Sequence, residues 1–498
     1  MESTILAINT FRESYVTLSA LTSDEPDEFA ARRLRCEMAR AAWENTKYRN
    51  IHPWAQAVRN RYGLYKYIRS IHDVTYQDTE FWVSVIWRGL LRADMKAGAI
   101  PLTVDEGTDD ERVRAAAYKL LTDSNWNVEK SICTRLGALC GYVGIAVIDD
   151  IQRGQVRLEV VPPEAIQDVC IEHGVVKEYV LSYWRDNKND VVTKYSQRVM
   201  RGDGDTVIYE TFVNDVPSAW TETTDETGKP VDTWQEIYGF IPFSLIQHVN
   251  TGGTWGVAEL QPALSKIQEA DDMGAMVNDY IRRATKPNSM ITGIAKRDIE
   301  IKTKDATVDR PQPGREEDNI LFSEKPGASW IPMIFPVDIT SARARIQDII
   351  DGMKNEYPEL QNMWETGGDA SGKALRIKRE PVEAKVIDRR VNYDAGLLSA
   401  IRMGIAIGGM RGYPGYEGFD LTSYGAGKLG INIAPRDVFP PDRADFLAEQ
   451  AMFWQTWASV ANTNVTFETF ARSYGWTDAQ IAEYEESQQK SFIPAEGL

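Results

Sequence analysis

The chain has 498 residues, of which 43% are apolar and 26% charged. That is enough for about three domains and too apolar for a disordered chain. Its 56 Lys and Arg stand against 73 Asp and Glu, a net charge of −17, which excludes a protein that coats nucleic acid through a basic surface. It does not exclude one that lets nucleic acid pass without holding it. The four cysteines, Cys36, Cys133, Cys140 and Cys170, form no C-x-x-C and fit no zinc pattern, so they are expected as reduced thiols. The four histidines are scattered. No metal site and no cofactor is therefore expected. The N-terminus has no basic segment followed by an apolar core, and "ALCGYVGIAVI" (138–148) is too short to span a bilayer. No membrane partner is expected, and the chain is expected to be made and kept in the cytoplasm unless a larger particle carries it elsewhere.

In chain order, residues 24–48 carry Phe29, Leu34, Met38 and Ala42 at helical spacing, and 111–139 reads as helical again. Then come β-branched and aromatic runs at 142–150, 154–163, 175–184, 191–200 and 206–215, separated by turn residues; they predict antiparallel hairpins. Residues 217–235 read as a long surface loop. An apolar strand within 238–256 leads through a Gly-rich turn into a long helix. In that helix Val257, Leu260, Leu264, Ile267, Gly274, Val277, Ile281 and Ala284 recur at helical steps. About 28 residues would span roughly 42 Å, and Lys286-Pro287 ends the run. Short strands and turns with several prolines fill 288–337. A second helix begins near Asp338 and stops at Pro358. Helical spacing returns over 372–408, where Pro381 should kink the helix or mark its true start. A strand lies in 429–442, and helical segments at about 442–461 and 466–490 close the chain. The fold class is α+β.

The stretch "GGDASGKA" (367–374) comes close to the phosphate-binding G-x-x-x-x-G-K-[ST]. Ala374 stands where a hydroxyl should reach Mg²⁺, and "YPELQNMWET" (357–366) is no buried strand. ATP binding is therefore not expected. The plain reading is a flexible polar loop at 361–371 with Ser371 capping the next helix. Asp149 and Asp150 could suggest a nuclease metal pair, but neighbouring strand side chains point to opposite faces. No catalytic residue is assigned.

The order of elements resembles the portal, or head-to-tail connector, proteins of tailed bacteriophages. Four stretches carry the resemblance: 144–166 for a wing hairpin, 238–273 for the approach to the first stem helix, "SGKALRIK" (371–378) for the start of the helix after the tunnel loop, and 431–450 with 465–486 for the C-terminal region. They cover about 110 residues, and none alone is as specific as a metal-ligand motif. The resemblance implies an α/β wing (1–255 and 372–440), a two-helix stem (256–286 and 338–356) and a small β-containing clip (287–337). It also implies a tunnel loop (357–371), a long kinked wing helix and a helical crown (441–498). It implies a homo-oligomeric ring, usually of twelve subunits, at the portal vertex of the virion capsid. Double-stranded DNA passes through the ring during packaging and ejection. Its partners are the terminase motor, the head–tail adaptor, and the scaffold and major capsid proteins. Such a ring is not an enzyme. The competing readings are a P-loop NTPase or nuclease of the packaging machinery, or another minor capsid or adaptor protein.

On that mapping, Asp271, Asp272 and Asp279 are an acidic tunnel wall along which DNA slides, or else a solvated helix face. Asn362, Trp364, Glu365, Thr366, Gly367, Gly368 and Asp369 are a mobile collar touching DNA, or a passive connector. Lys373 follows, in reach of a DNA backbone or a neighbouring carboxylate. Arg310, Arg315, Glu316 and Glu317, in the Pro-rich "DRPQPGREEDN" (309–319), are a docking tip or an ordinary surface loop. The first stem helix also shows a second, weaker apolar stripe through Met273, Met276 and Tyr280, which neighbouring subunits are expected to cover.

Overall fold

A computed structural model describes residues 28–44, 74–88, 102–104, 110–186, 192–220, 229–285, 288–292, 320–323, 329–333, 339–360, 372–425, 429–434, 436–439, 443–460 and 466–474, with 481 and 484. The chain divides into two compact units, Met1–Arg436 and Asp437–Leu498.

In the first unit, α1 (Glu28–Trp43) precedes α2 (Val74–Ile86) and the short β1 (Leu102–Val104). The stretch expected as one helix is two, α3 (Asp110–Asp123) and α4 (Trp126–Cys140). The break falls at Asn125, whose φ of 50° is left-handed, a conformation that Asn tolerates and most residues resist. Ser124 beside it accepts a hydrogen bond from the Leu158 N–H at 2.7 Å, so the break also serves a strand edge. Gly141, at φ 90°, ends α4 by donating to the Gly137 carbonyl and turns the chain directly into a strand.

The strands follow as β2 (Tyr142–Asp150), β3 (Gln155–Val161), β4 (Ile166–Glu172), β5 (Val175–Asp186), β6 (Val192–Arg201), β7 (Val207–Val213), β8 (Val216–Pro217), β9 (Thr233–Glu236) and β10 (Phe243–Gln247). Two sheets form. One has the order β10-β2-β3; the other runs β4-β5-β6-β7-β8 with β9 pairing β7. All these pairings are antiparallel, as the hairpin pattern predicts. Strand β4 was not anticipated, and β9 overlaps the end of the expected surface loop, where Trp234 stacks on Tyr209 across the strands at 5.0 Å.

Next comes α5 (Leu264–Thr285). It begins later than the expected 256, because Pro262 sits in a short 3-10 turn, Gln261–Ala263, that precedes it. Three short strands follow, β11 (Asn288–Thr292), β12 (Ile320–Ser323) and β13 (Ser329–Met333), in the order β12-β11-β13. Helix α6 (Ile339–Glu356) then pairs with α5, and α7 (Gly372–Arg411) runs for 40 residues. Helix α7 neither starts nor stops at Pro381. One face of α7 is buried, through Val382, Val386, Tyr393, Leu397 and Ile401, and packs over the β10-β2-β3 sheet. The first unit ends with α8 (Leu421–Gly425) and β14 (Ile431–Ile433), which pairs β1.

The second unit holds α9 (Arg443–Val460) and α10 (Phe467–Ser473). Phe453, Phe470, Ala471 and Ile481 form its core. Thr466 caps α10 by accepting from the Thr469 N–H.

Candidate functional site at the root of the paired helices

Helices α5 and α6 run antiparallel. Lys266, near the start of α5, pairs with Glu356 at the end of α6, whereas Met276 and Tyr280 meet Ile339 and Ala342 at its start. Near their root the pair is sealed. Ile267 and Ala270 pack on Ile349, Ile350 and Met353, and Tyr357 and Leu360 extend the cluster. Further out it opens into a groove of about 270 Å³, lined by Met273, Met276, Val277, Tyr280, Ile339 and Ala342. Met276 is 55% exposed there.

Below the helices lies a buried charged junction built from four segments. His248 directly follows β10, and a Gly-rich turn then carries the chain to Glu259, just before α5. Glu359 follows α6 directly. Helix α7 supplies Lys385, Arg389 and Tyr393, each four residues apart and so on one face. Helix α2 supplies Asp78 and Trp82. His248, Glu259, Glu359 and Asp78 are all buried.

Lys385 Nζ bridges Glu259 Oε1 and Glu359 Oε1, both at 2.5 Å. One ammonium thus ties the start of α5 to the end of α6. Arg389 Nε donates to Glu259 Oε2 at 3.1 Å. His248 Nε2 lies 3.1 Å from Glu259 Oε2, and its Nδ1 lies 2.9 Å from Tyr393 Oη. Burial pushes the His248 pKa down. The neutral ring then donates from Nε2 to Glu259 and accepts at Nδ1 from Tyr393. Burial pushes Glu259 up, but the His248 hydrogen bond, Lys385 and Arg389 outweigh it and hold its carboxyl well below the usual range. Burial raises Glu359, and Lys385 offsets only part of that. Burial, then the nearby Glu359 and Glu259, hold Asp78 well above the usual carboxylate range. The shifts of Asp78 and His248 both favour the neutral form, and the two carboxylates that Lys385 bridges, Glu259 and Glu359, face two cations, Lys385 and Arg389. This arrangement can lock a joint.

A second polar cluster clasps the far end of α7. Asp149 accepts from Arg411 Nε at 2.7 Å, Tyr413 Oη at 2.7 Å and Tyr238 Oη at 3.0 Å. Asp150 instead accepts from the Arg153 N–H. Two neighbouring aspartates thus serve different partners, as expected for alternating strand side chains. Among the described residues, no group of three or more His, Cys, Asp or Glu could hold a metal ion.

Of the anticipated residues, Asp271 is corrected: it is 1% exposed. It lies four residues after Ile267, on the packed side of α5, so within this chain it does not front solvent as an acidic wall would. Asp272 and Asp279 fall on α5, with side chains outside the described residues. Lys373 falls in the first turn of α7, its side chain likewise outside. The loop residues Asn362, Trp364, Glu365, Thr366, Gly367, Gly368 and Asp369, and the tip residues Arg310, Arg315, Glu316 and Glu317, lie outside the described residues. The stripe through Met273, Met276 and Tyr280 is the groove wall. Sequence reasoning did not pick out the junction. Its signal was Lys385, Arg389 and Tyr393 recurring every four residues beside Val382 and Val386, which put charges on a face that apolar residues mark as inward.

No protein-family model matches the chain, and no curated protein matches it. Among solved structures it is similar to the neck of an empty gene transfer agent particle computed with C6 symmetry, at 13% identity and TM-score 0.39, covering 81% of this chain and 90% of that one. It is similar to the neck of a native particle computed with C12 symmetry, at 14% identity and TM-score 0.36, covering 85% and 99%. A native gene transfer agent virion is a further neighbour, at 13% identity and TM-score 0.34, covering 81% and 90%. TM-scores this low do not establish a shared fold.

Proposed function

We propose that this chain is a ring-forming portal protein at one capsid vertex, through which viral double-stranded DNA is packaged and ejected. The terminase motor and the head–tail adaptors dock on that ring. The observation that carries this reading is the joint between body and paired helices. A β-rich body sends out α5, receives α6 back, and pins both ends with Lys385 of the 40-residue α7. Between α5 and α6 the chain makes the small three-stranded sheet β12-β11-β13. That succession follows the order of stem, clip and long wing helix that the resemblance implies. The apolar groove beyond the sealed root adds support, because a surface of this kind needs a covering partner. The net charge of −17 suits a channel that DNA traverses without sticking. The ring acts mechanically, without catalysis of its own.

Negative-stain imaging of the purified protein tests the reading. Rings with a central channel are expected. Particles that remain monomeric at micromolar concentration and at every salt concentration would sink it.

A further inference from the structure

The groove between α5 and α6 is an uncovered apolar surface, and α7 carries a second. Its inward face holds Val382, Val386 and Tyr393. On the opposite side Ala384, Ile387, Val391 and Ala395 are exposed at steps of three and four, one straight ridge along the helix. Ile387 is 52% and Val391 62% exposed. Glu380, Glu383 and Asp388 flank this ridge and are also exposed. On the groove's border Arg343 of α6 is exposed beside Ile339 and Ala342, while Arg345, also exposed, pairs Glu269 of α5 at 3.2 Å. Ile387 and Val391 stand ~6 Å apart along their helix, within the ~10 Å between Met273 and Tyr280.

Resting on the ring reading above, we infer that the α7 ridge of one copy seats in the α5–α6 groove of the next copy. The flanking charges decide the occupant. A ridge bordered by carboxylates repels nucleic acid. Two ridges meeting face to face would bring the carboxylates Glu380 and Glu383 bordering one ridge towards those bordering the other, a like-charge contact that is unfavourable. Ridge against groove sets Glu380 and Glu383 against Arg343 and apolar against apolar surface. Because the two patches differ, the contact is heterologous, and a heterologous contact propagates into a closed ring or a filament.

Cross-linking tests this. In a Cys170→Ser background, which removes the exposed thiol, Ile387→Cys and Met276→Cys are combined on one chain and treated with a short bismaleimide. A ladder of covalent oligomers ending at the ring size is expected on a denaturing gel, and each single variant should stay monomeric. Val391→Asp should lose assembly while keeping the circular dichroism of the parent. Rings in negative stain without a ladder, rings that persist in Val391→Asp, or dimers from Ile387→Cys alone would overturn the interface while leaving the ring reading intact. Absence of rings from the unaltered protein would defeat the ring reading and this inference with it.

Discussion

Replacing Lys385 by Met keeps the length of the side chain and removes the charge that joins Glu259 to Glu359. Removing one partner of a buried ion pair costs about 3–5 kcal/mol when the other charge stays uncompensated. Here Glu259 retains His248 and Arg389, whereas Glu359 loses its ammonium partner and its Oε2 already has no hydrogen-bond partner. The least costly response is for Glu359 to fold as the neutral acid. Burial already raises its pKa above the ordinary 4.5, and Lys385 opposes that rise. Without Lys385 the folded pKa climbs further. A carboxyl raised in the folded state contributes stability that is full below its unfolded pKa and is lost as pH rises through the folded pKa. At about 1.4 kcal/mol per pH unit, folding with a neutral Glu359 costs at most about 3.5 kcal/mol at pH 7 and about 0.7 at pH 5. The wild type already carries part of that cost, so a deficit of about 2–3 kcal/mol at pH 7 is expected, shrinking below about 1.5 at pH 5. The residue at pH 5 reflects the weaker hold on Glu259, which is ionised at both pH values. Asp78, also opposed by Lys385, shifts in the same direction. Urea unfolding of wild type and Lys385→Met at both pH values measures this. An equal deficit at pH 5 and pH 7, or none at pH 7, would refute the joint as described.

Three other outcomes are expected. Asp149→Asn removes the charge that holds Arg411 and weakens the hydrogen bonds from Tyr413 and Tyr238; the loss should be about 2–3 kcal/mol, read from a thermal melt. Gly137→Ala would place a Cβ 2.0 Å from Tyr393 Oη, displacing the hydroxyl that His248 accepts from. The overpacking should cost about 1–3 kcal/mol despite the better helix propensity of Ala, and a melting temperature unchanged from wild type would contradict that packing. Ala374→Ser, which completes the phosphate-loop pattern, should create neither ATP binding nor hydrolysis, because no strand pattern precedes it; calorimetry with Mg-ATP checks the first and phosphate release the second.

Local signals in the chain determined most of the elements. A β-branched and aromatic run bounded by turn residues marked β2 to the residue, at Tyr142–Asp150, and its first six residues are all buried, as a continuous apolar run in a strand covered on both faces requires. Helical spacing marked α6, α7 and α9 within a few residues, and the acidic balance excluded a surface that grips nucleic acid. Tertiary structure decided what spacing leaves open. Whether Asp271 faces solvent or packing depended on where α6 lay, and α6 is some 70 positions away in the chain. Pro381 was tolerated inside α7 because the packed face of that helix is held by the sheet and by Lys385, Arg389 and Tyr393. The junction itself joins residues 78, 248, 259, 359 and 385, and no local pattern links positions so far apart. A charge on a helix face looks the same in sequence whether water or a buried carboxylate meets it; only the fold brings the partner.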